Sequence, residues 1–190
     1  MGPVGVLALQ GDFREHQQSL ERAGAISRQV RRPADLDGIS ALVIPGGEST
    51  TIGRLAILYG LIDPLCEVVD GGLPTFGTCA GLIFLAAGTV KEGPPQLGCL
   101  DVIVERNAFG RQNDSFEAPI EVQGLEAPYL GVFIRAPQVS KVGPHVEVLA
   151  TYDGQVVMVR QENILASAFH PELTDDVRIH EMVLSMRKGD

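Results

Sequence analysis

The sequence predicts an α/β fold, a three-layer sandwich with a central, mostly parallel sheet and a few antiparallel strands. Three observations predict it. In the first half, short runs that are apolar throughout alternate with segments of helical spacing, a pattern typical of a parallel sheet covered on both faces. In the second half, alternating or β-branched runs are separated by turn residues, as in antiparallel strands. A helical pattern returns at residues 175–186.

The first predicted strand comprises residues 4–9, a short run without polar side chains. Asp12 follows it and is expected to cap a helix whose apolar side chains recur every three or four residues until Gly24 ends it. Residues 26–30 form a second, more polar run. We expect this strand to lie nearer an edge of the sheet.

A third strand is predicted at residues 41–44 and stops abruptly at the sequence Pro-Gly-Gly-Glu-Ser, residues 45–49. Apolar side chains at helical spacing then predict two helices, around residues 52–59 and 65–69. The next apolar run enters Gly-Thr-Cys-Ala-Gly, residues 77–81. Parallel strands end at one common edge of a sheet, so the two glycine-rich turns are expected to lie together there.

The second half contains six short strand-like runs, and a helix is predicted from residue 82 to residue 87 before them. The runs are residues 102–106, 115–121, 130–134, 146–151, 156–160 and 164–168. Asp153 and Gly154 between two of them indicate a tight hairpin. No internal repeat or linker is visible, so residues 1–190 are expected to form one domain.

The composition argues against several classes of function. The 190 residues include 15 Lys and Arg against 24 Asp and Glu, a net charge of −9 without any basic block, so no nucleic-acid surface is expected. Neither a signal-peptide pattern nor an apolar run of membrane-spanning length occurs. Cys66, Cys79 and Cys99 lack CxxC spacing, which argues against disulfides or zinc and indicates a reducing cytoplasm. We predict no cofactor and no metal.

The stretch of residues 77–81 is the cysteine form of a nucleophile elbow. Glycines two residues before and two after Cys79 allow a sharp turn from strand to helix, which lifts the sulfur above the sheet. The turn also puts Cys79 at a helix N-terminus, where a thiolate is favoured. The alternative is an inert, buried cysteine beside two packing glycines.

A cysteine nucleophile needs a base, and four histidines are available. His16 and His180 fall on the first and last predicted helices and are expected to be helix-face residues, while His145 is expected to be exposed. His170 ends an apolar run, with Glu172 two residues later. In extended backbone these two side chains point to the same side, so Glu172 can orient the His170 ring. A capping histidine beside a solvated glutamate is the alternative.

An oxyanion hole is the third part of such a site. Gly46 and Gly47 follow a buried strand, and the N–H of Ala80 comes directly after the nucleophile. An ordinary strand-to-helix turn is the alternative. Taken together, these residues predict acyl transfer through a thioester, with Cys79 as nucleophile and His170 as proton carrier.

These motifs stand in the order found in the class I, or triad, glutamine amidotransferases, and the chain resembles that family over nearly its whole length. Within it, the sequence is most similar to the glutaminase subunits of pyridoxal 5′-phosphate synthases. The narrower similarity depends on residues 7–11 with Glu15 and His16 close behind, and on residues 44–50, 106–112, 133–137 and 168–173. The resemblance implies a flavodoxin-like sandwich.

The resemblance also implies an activity, the hydrolysis of L-glutamine to glutamate and ammonia through a γ-glutamyl thioester on Cys79. Catalytic residues would be Cys79, His170 and Glu172, and Gly47 and Ala80 would form the oxyanion hole. By family position, the glutamine-binding residues would be Gly47, Glu48, Ser49, Arg106, Ile134 and Arg135.

A partner is implied as well, a separate (β/α)8-barrel subunit that builds pyridoxal 5′-phosphate with the ammonia. Gln10 would couple docking of this subunit to the oxyanion hole, and the Gly46–Gly47 peptide would turn its N–H away until docking occurs. Three alternatives stay open: an amidotransferase for another acceptor, a cysteine hydrolase or peptidase, and a non-catalytic module.

Overall fold

The computed structural model describes residues 1–106 and 115–187. The strands are β1 Val4–Leu7, β2 Ser27–Val30, β3 Ala41–Ile44, β4 Thr75–Thr78, β5 Ala86–Thr89, β6 Leu100–Glu105, β7 Ser115–Ile120, β8 Tyr129–Ile134, β9 Gln138–Val142, β10 Glu147–Tyr152, β11 Gln155–Gln161 and β12 Ile164–Ser167. The α-helices are α1 Phe13–Arg22, α2 Ser49–Leu58, α3 Ile62–Asp70, α4 Ala80–Leu85 and α5 Arg178–Ser185, with 3-10 turns at Pro33–Leu36 and Pro171–Leu173. No helix within these ranges has both the length and the hydropathy that crossing a bilayer requires.

The main sheet has the strand order β2-β1-β3-β4-β12-β11-β9-β6-β5, and β10 pairs with β11. The first five strands are parallel to one another. The pairs from β12 through β11 and β9 to β6 are antiparallel. β7 and β8 form a separate two-stranded sheet. The predicted α/β fold with a mostly parallel sheet and added antiparallel strands is confirmed.

The order of the parallel strands places helices on both faces. The chain moves from β1 outward to β2, whereas it moves from β3 to β4 in the opposite direction. Right-handed crossovers therefore put α1 on one face and α2 and α3 on the other. The central strands β1, β3, β4 and β12 are buried along their whole length. Their carboxyl ends meet beside the point where the strand order reverses, which is where open α/β sheets bind ligands.

Several predicted elements are confirmed, and others differ for identifiable reasons. β2 is an edge strand as predicted, and the Asp153-Gly154 turn joins the antiparallel strands β10 and β11. The helix predicted up to residue 87 ends at Leu85, because Ala86–Thr89 pairs with β6 instead. The polar run Gln138–Val142 forms β9 and was not predicted, since its pairing with β6 comes from tertiary contact and not from a local pattern.

Candidate active site

Cys79 lies in the turn between β4 and the short helix α4, with backbone angles of φ 48° and ψ −100°. A positive φ is unusual for a residue with a side chain and marks a strained turn. The flanking glycines are required by space: a Cβ on Gly81 would collide with the Ile44 carbonyl, and one on Gly77 would lie 2.6 Å from Leu85 Cδ1. Close packing of Gly81 on β3 and of Gly77 on α4 therefore explains the glycine frame.

His170 and Glu172 form a buried pair, with His170 Nδ1 2.6 Å from Glu172 Oε1. The expected extended geometry is wrong. β12 ends at Ser167, and His170 directly precedes the 3-10 turn that contains Glu172. The turn brings the two side chains together, while the His170 amide is held by the Val132 carbonyl at 2.8 Å.

His170 and Cys79 line the same cavity. Burial alone lowers the pKa of His170, but Cys79 and the hydrogen-bonded Glu172 carboxylate raise it, to about 10. Burial likewise favours the neutral form of Glu172, yet His16 and His170 on its two sides hold its pKa below the ordinary value. At neutral pH the arrangement therefore contains an imidazolium beside the Glu172 carboxylate, with the Cys79 sulfur in the same cavity lining.

His16 and His180 lie on helix faces as expected, on the buried faces of α1 and α5 and outside the lining of the cavity. Both side chains are fully buried. His16 Nε2 lies 3.3 Å from Glu172 Oε2, and His16 Nδ1 lies 3.0 Å from His180 Nε2. The spacing of apolar residues along each helix did not show whether its histidine lies on the buried face or at the edge of that face. His145 is exposed, as predicted.

A cavity of about 360 Å³ opens at the carboxyl ends of the parallel strands, in front of Cys79 and His170. Its volume is within the usual range for small-molecule sites. The lining residues are Gln10, Asp12, Gly47, Glu48, Ser49, Cys79, Ala80, Ile83, Arg106, Ile134, Arg135 and His170. Every site residue predicted from the sequence is in this lining except Glu172, which lies behind His170.

Opposite charges line one part of this cavity. Arg106 Nη2 is 3.7 Å from Glu48 Oε1. The Glu48 carboxylate also caps α2, accepting hydrogen bonds from the amides of Thr50 at 3.0 Å and Thr51 at 2.7 Å. Burial opposes ionisation, but these hydrogen bonds lower the pKa of Glu48 to about 2. Glu48 therefore presents a fixed negative charge next to a guanidinium, a combination that suits a zwitterionic amino acid.

The Gly46–Gly47 turn is held from the β1 side. Gln10 Oε1 accepts the Glu48 amide at 2.7 Å, and the Gly46 carbonyl accepts the Asp12 amide at 3.1 Å. Gly47 has φ 147°, a region that favours glycine, and a Cβ there would lie 2.5 Å from Gln10 Oε1. Gln10 thus contacts the turn that was predicted to supply an oxyanion donor.

Asp12 was not predicted as a site residue. It precedes α1, as expected for a cap, but its side chain makes no capping hydrogen bond. One carboxylate oxygen instead lies 3.5 Å from His170 Nδ1, and burial, together with the charge of Glu172, raises its pKa. Asp12, His170 and Glu172 could in principle ligate a metal. However, His170 Nδ1 is already bonded to Glu172, so a metal would have to break that bond.

The SNO glutamine amidotransferase family matches residues 6–188. This chain belongs to that family. It is therefore a glutamine amidotransferase, and the predicted resemblance is confirmed.

Relatives of this amidotransferase agree in sequence and in structure. The chain is 58% identical over 182 residues to a protein of Pelotomaculum thermopropionicum named pyridoxal 5′-phosphate synthase subunit PdxT, covering 95% of this chain and 93% of the relative. A crystal structure of a glutamine amidotransferase superposes with a TM-score of 0.94 at 53% identity, covering 97% and 98% of the two chains. A GMP synthase protein of Thermoplasma acidophilum shares the fold, with a TM-score of 0.72 at 17% identity over 98% and 94% of the chains.

One part of the narrower sequence motif cannot be located. Residues 107–112 of the motif that begins at Arg106 lie outside the described residues.

Asp12 is a site residue that the sequence reasoning missed although the sequence contained a signal for it: Asp12 directly follows Gln10-Gly11 at a strand end. The amidotransferase site thus gathers side chains at the ends of β1, β3, β4, β6, β8 and β12.

Proposed function

We propose that this amidotransferase hydrolyses L-glutamine to L-glutamate and ammonia, with Cys79 as nucleophile, His170 as proton carrier and Glu172 as orienting group. One observation carries the proposal. The buried imidazole of His170 lines the same cavity as Cys79, whose side chain helps to raise its pKa, and its Nδ1 lies 2.6 Å from a carboxylate oxygen of Glu172. This is the arrangement that activates cysteine nucleophiles for acyl transfer.

In the first step, the Cys79 sulfur attacks the side-chain carbonyl carbon of glutamine, and a C–S bond forms. His170 gives its proton to the amide nitrogen, the C–N bond breaks, and ammonia leaves. His170 is then neutral and the glutamyl group is held as a thioester. The raised pKa of His170 means that it carries the required proton throughout the neutral range.

In the second step, a water molecule attacks the thioester carbonyl. Neutral His170 takes one proton from this water, the C–S bond breaks, and glutamate leaves with the hydroxyl oxygen. The imidazolium and the sulfur anion are restored together. Glu172 stays ionised in both steps and stabilises each imidazolium that forms.

The proposed oxyanion donors are the N–H groups of Gly47 and Ala80. The carbonyl of Gly46 faces Asp12 on the β1 side. In a trans peptide the C=O and the following N–H point in opposite directions, so the Gly47 N–H is directed away from β1, towards the side on which β4 carries Cys79. Turning this N–H away would break the hydrogen bond between Asp12 and Gly46.

We assign the two charged ends of glutamine to the charged lining of the cavity. Glu48 is proposed to pair with the substrate ammonium, and Arg106 and Arg135 with its α-carboxylate. Ser49 and the Ile134 backbone complete the set; the Ile134 carbonyl lies 4.0 Å from Cys79 Sγ. The existing contact of 3.7 Å between Arg106 and Glu48 supports this, because a zwitterion can bridge both groups.

The ammonia is proposed to pass to a (β/α)8-barrel subunit that makes pyridoxal 5′-phosphate. This rests on relatives named as subunits of pyridoxal 5′-phosphate synthase at 58% and 55% identity. Gln10, which touches both the cavity and the Gly47 turn, is the proposed coupling residue. We also propose that residues 1–190 act as one domain and that the protein works in the cytoplasm, where its free thiols persist.

The test measures ammonia released from L-glutamine by the chain alone and with the barrel subunit. We expect release that rises with the partner, is lost in Cys79→Ala, and is retained in the matched control Cys99→Ala. Partner-independent release would keep the glutaminase and reject the coupling. Cleavage of peptide substrates instead of glutamine would favour a cysteine hydrolase. No reaction at all would favour a non-catalytic module.

A further inference from the structure

Two histidines outside the cavity are buried behind Glu172. His16, on α1, and His180, on α5, have no exposed surface and take no part in the steps above. Glu172 Oε1 lies 2.6 Å from His170 Nδ1, and Glu172 Oε2 lies 3.3 Å from His16 Nε2. His16 Nδ1 is in turn 3.0 Å from His180 Nε2. The four side chains form a continuous line of polar contacts from the cavity into the core.

The hydrogens along this line follow from the chemistry of the groups. A carboxylate only accepts, so the His16 Nε2 that faces Glu172 carries a hydrogen. Burial lowers the pKa of His16, and burial together with His16 lowers the pKa of His180 to about 3. Both rings are therefore neutral and have one N–H each. His16 Nδ1 then accepts from His180 Nε2, and every N–H in the line points towards the carboxylate.

The contact between His16 and Glu172 is not explained by a contribution to the stability of the fold. His16 Nε2 is hydrogen-bonded to Thr78 Oγ1 at 3.1 Å, and it lies 3.3 Å from Glu172 Oε2 without forming a hydrogen bond to it. Over residues 1–106 and 115–187, the buried atoms Glu172 Oε2 and His180 Nδ1 have no hydrogen-bond partner. Buried polar atoms without good partners are costly. The arrangement therefore indicates a requirement on where Glu172 is held.

We propose that His16 is a positioning residue, whose Nε2–H faces one oxygen of Glu172 at 3.3 Å and, by attracting its charge, keeps the other oxygen in line with His170. His180 fixes the tautomer and the ring orientation of His16. Phe76 packs edge-on against both imidazoles, with ring centroids 6.2 and 6.1 Å away, and limits their rotation. The inference deepens the proposed glutaminase function and rests on it. Outer partners orient the histidines of metal sites in a similar way.

The test compares three variants. His16→Gln keeps an N–H near the position of Nε2, His16→Met removes it at similar volume, and Phe76→Leu loosens the same cluster without removing a polar group. Ammonia release from L-glutamine is measured in the complex with the barrel subunit, as kcat and KM across the pH range, beside thermal unfolding. The other charged groups near the two imidazoles are Glu15 and Arg22, so Glu15→Gln is a charge control.

We expect His16→Met to lower kcat by about 10- to 100-fold, as misplacement of a catalytic group does, with little change in KM. Its acid limb of kcat/KM should move to higher pH, because the Glu172 anion loses the N–H that faces it. His16→Gln should recover most of both properties. Phe76→Leu should lower the melting temperature yet leave the acid limb in place, and Glu15→Gln should leave that limb in place as well.

Two results separate this inference from the proposed function. If the unaltered chain releases ammonia and His16→Met keeps its kcat and acid limb, the positioning role is overturned alone. If the unaltered chain releases none, the glutaminase proposal fails, and the imidazole ¹⁵N NMR spectrum still tests the geometry. We expect His16 and His180 as neutral Nε2–H tautomers at pH 7, and an Nδ1–H tautomer of His16 would overturn the arrangement.

Discussion

The backbone N–H of Cys79 donates a hydrogen bond to the carbonyl of Ser167 at 2.8 Å. Ser167 is the last residue of β12, the strand that leads to His170, and it pairs in register with Thr78 of β4. The turn of the proposed nucleophile and the segment of the proposed base are thus joined through the sheet itself. Their separation is fixed by strand pairing, which is more rigid than contact between two loops.

Glu172→Gln should lower the pH at which activity is lost on the alkaline side. Glu172 is among the groups that raise the pKa of His170 to about 10, and glutamine keeps the shape but not the charge. His170 would lose its proton earlier as the pH rises, so the alkaline limb of kcat/KM should move down by more than one pH unit. The fall in kcat should be smaller than in Cys79→Ala. Glu67→Gln, at an exposed site, is the control. An alkaline limb that stays near 10 would contradict the assignment.

Gly46→Ala should impair catalysis without unfolding the chain. A Cβ at this position would collide with His170 Cε1 and lie 2.9 Å from His170 Nδ1. The ring must shift, and a displaced catalytic group costs about 100-fold in rate. The control is Gly88→Ala, where the nearest atom is the flexible Ile103 Cδ1 at 3.1 Å. Steady-state ammonia release and melting temperature are the measurements. Wild-type kcat in Gly46→Ala would show that the ring is not confined there.

Acid should destabilise the fold below about pH 6.5, which is the ordinary pKa of a histidine side chain. The pKa values of His16 and His180 are lowered in the folded state, so the unfolded chain binds more protons below that pH and stability falls as the pH falls. Each group contributes a slope approaching about 1.4 kcal/mol per pH unit. His170 has the opposite shift, and its contribution is lost only as the pH rises towards 10.

Urea unfolding between pH 7.5 and 5.0 measures this slope. His180→Gln should reduce it, because one of the two buried titrating groups is removed. His145→Gln, at an exposed position, should leave it unchanged. An equal slope in His180→Gln and in the unaltered chain would mean that other groups cause the acid sensitivity.

Iodoacetamide should label one cysteine in the folded protein at pH 7.5. Cys79 lines the cavity, whereas burial raises the pKa of Cys66 and raises that of Cys99 to about 12. The thiolate is the reactive form, so these two thiols should stay unmodified. Intact-mass analysis should show one adduct on the folded, unaltered chain and none on folded Cys79→Ala. The unaltered chain should carry three adducts after denaturation. An adduct on Cys66 or Cys99 before denaturation would be the opposing result.

The sequence predicted much of the fold because the relevant signals are local. Residues 41–44 are apolar throughout and become a central strand with the predicted bounds. The glycine frame around Cys79 predicts the strand–turn–helix unit that the structure contains. The Asp153-Gly154 turn specifies its hairpin. In each case neighbouring residues alone restrict the backbone.

Other features were outside the reach of local patterns. The depth of His16 depends on His180, 164 residues away, because burial of a helix face is set by what packs on it. The contact of Asp12 with His170 joins the ends of two strands that are not neighbours in the sheet. Glu48 was predicted to bind substrate, but its cap on α2 depends on backbone amides that no side-chain pattern reports.

The sequence by itself determined the class of fold, the candidate nucleophile and the candidate base, because each of these lies in a short motif that constrains its own backbone. Tertiary structure decided which groups surround them. Strand pairing brought residues 79 and 170 to one edge, and packing of α1 on α5 placed two neutral imidazoles behind Glu172. Charge and hydrogen bonding act through space, so the protonation of the candidate site depends on neighbours that the order of residues does not reveal.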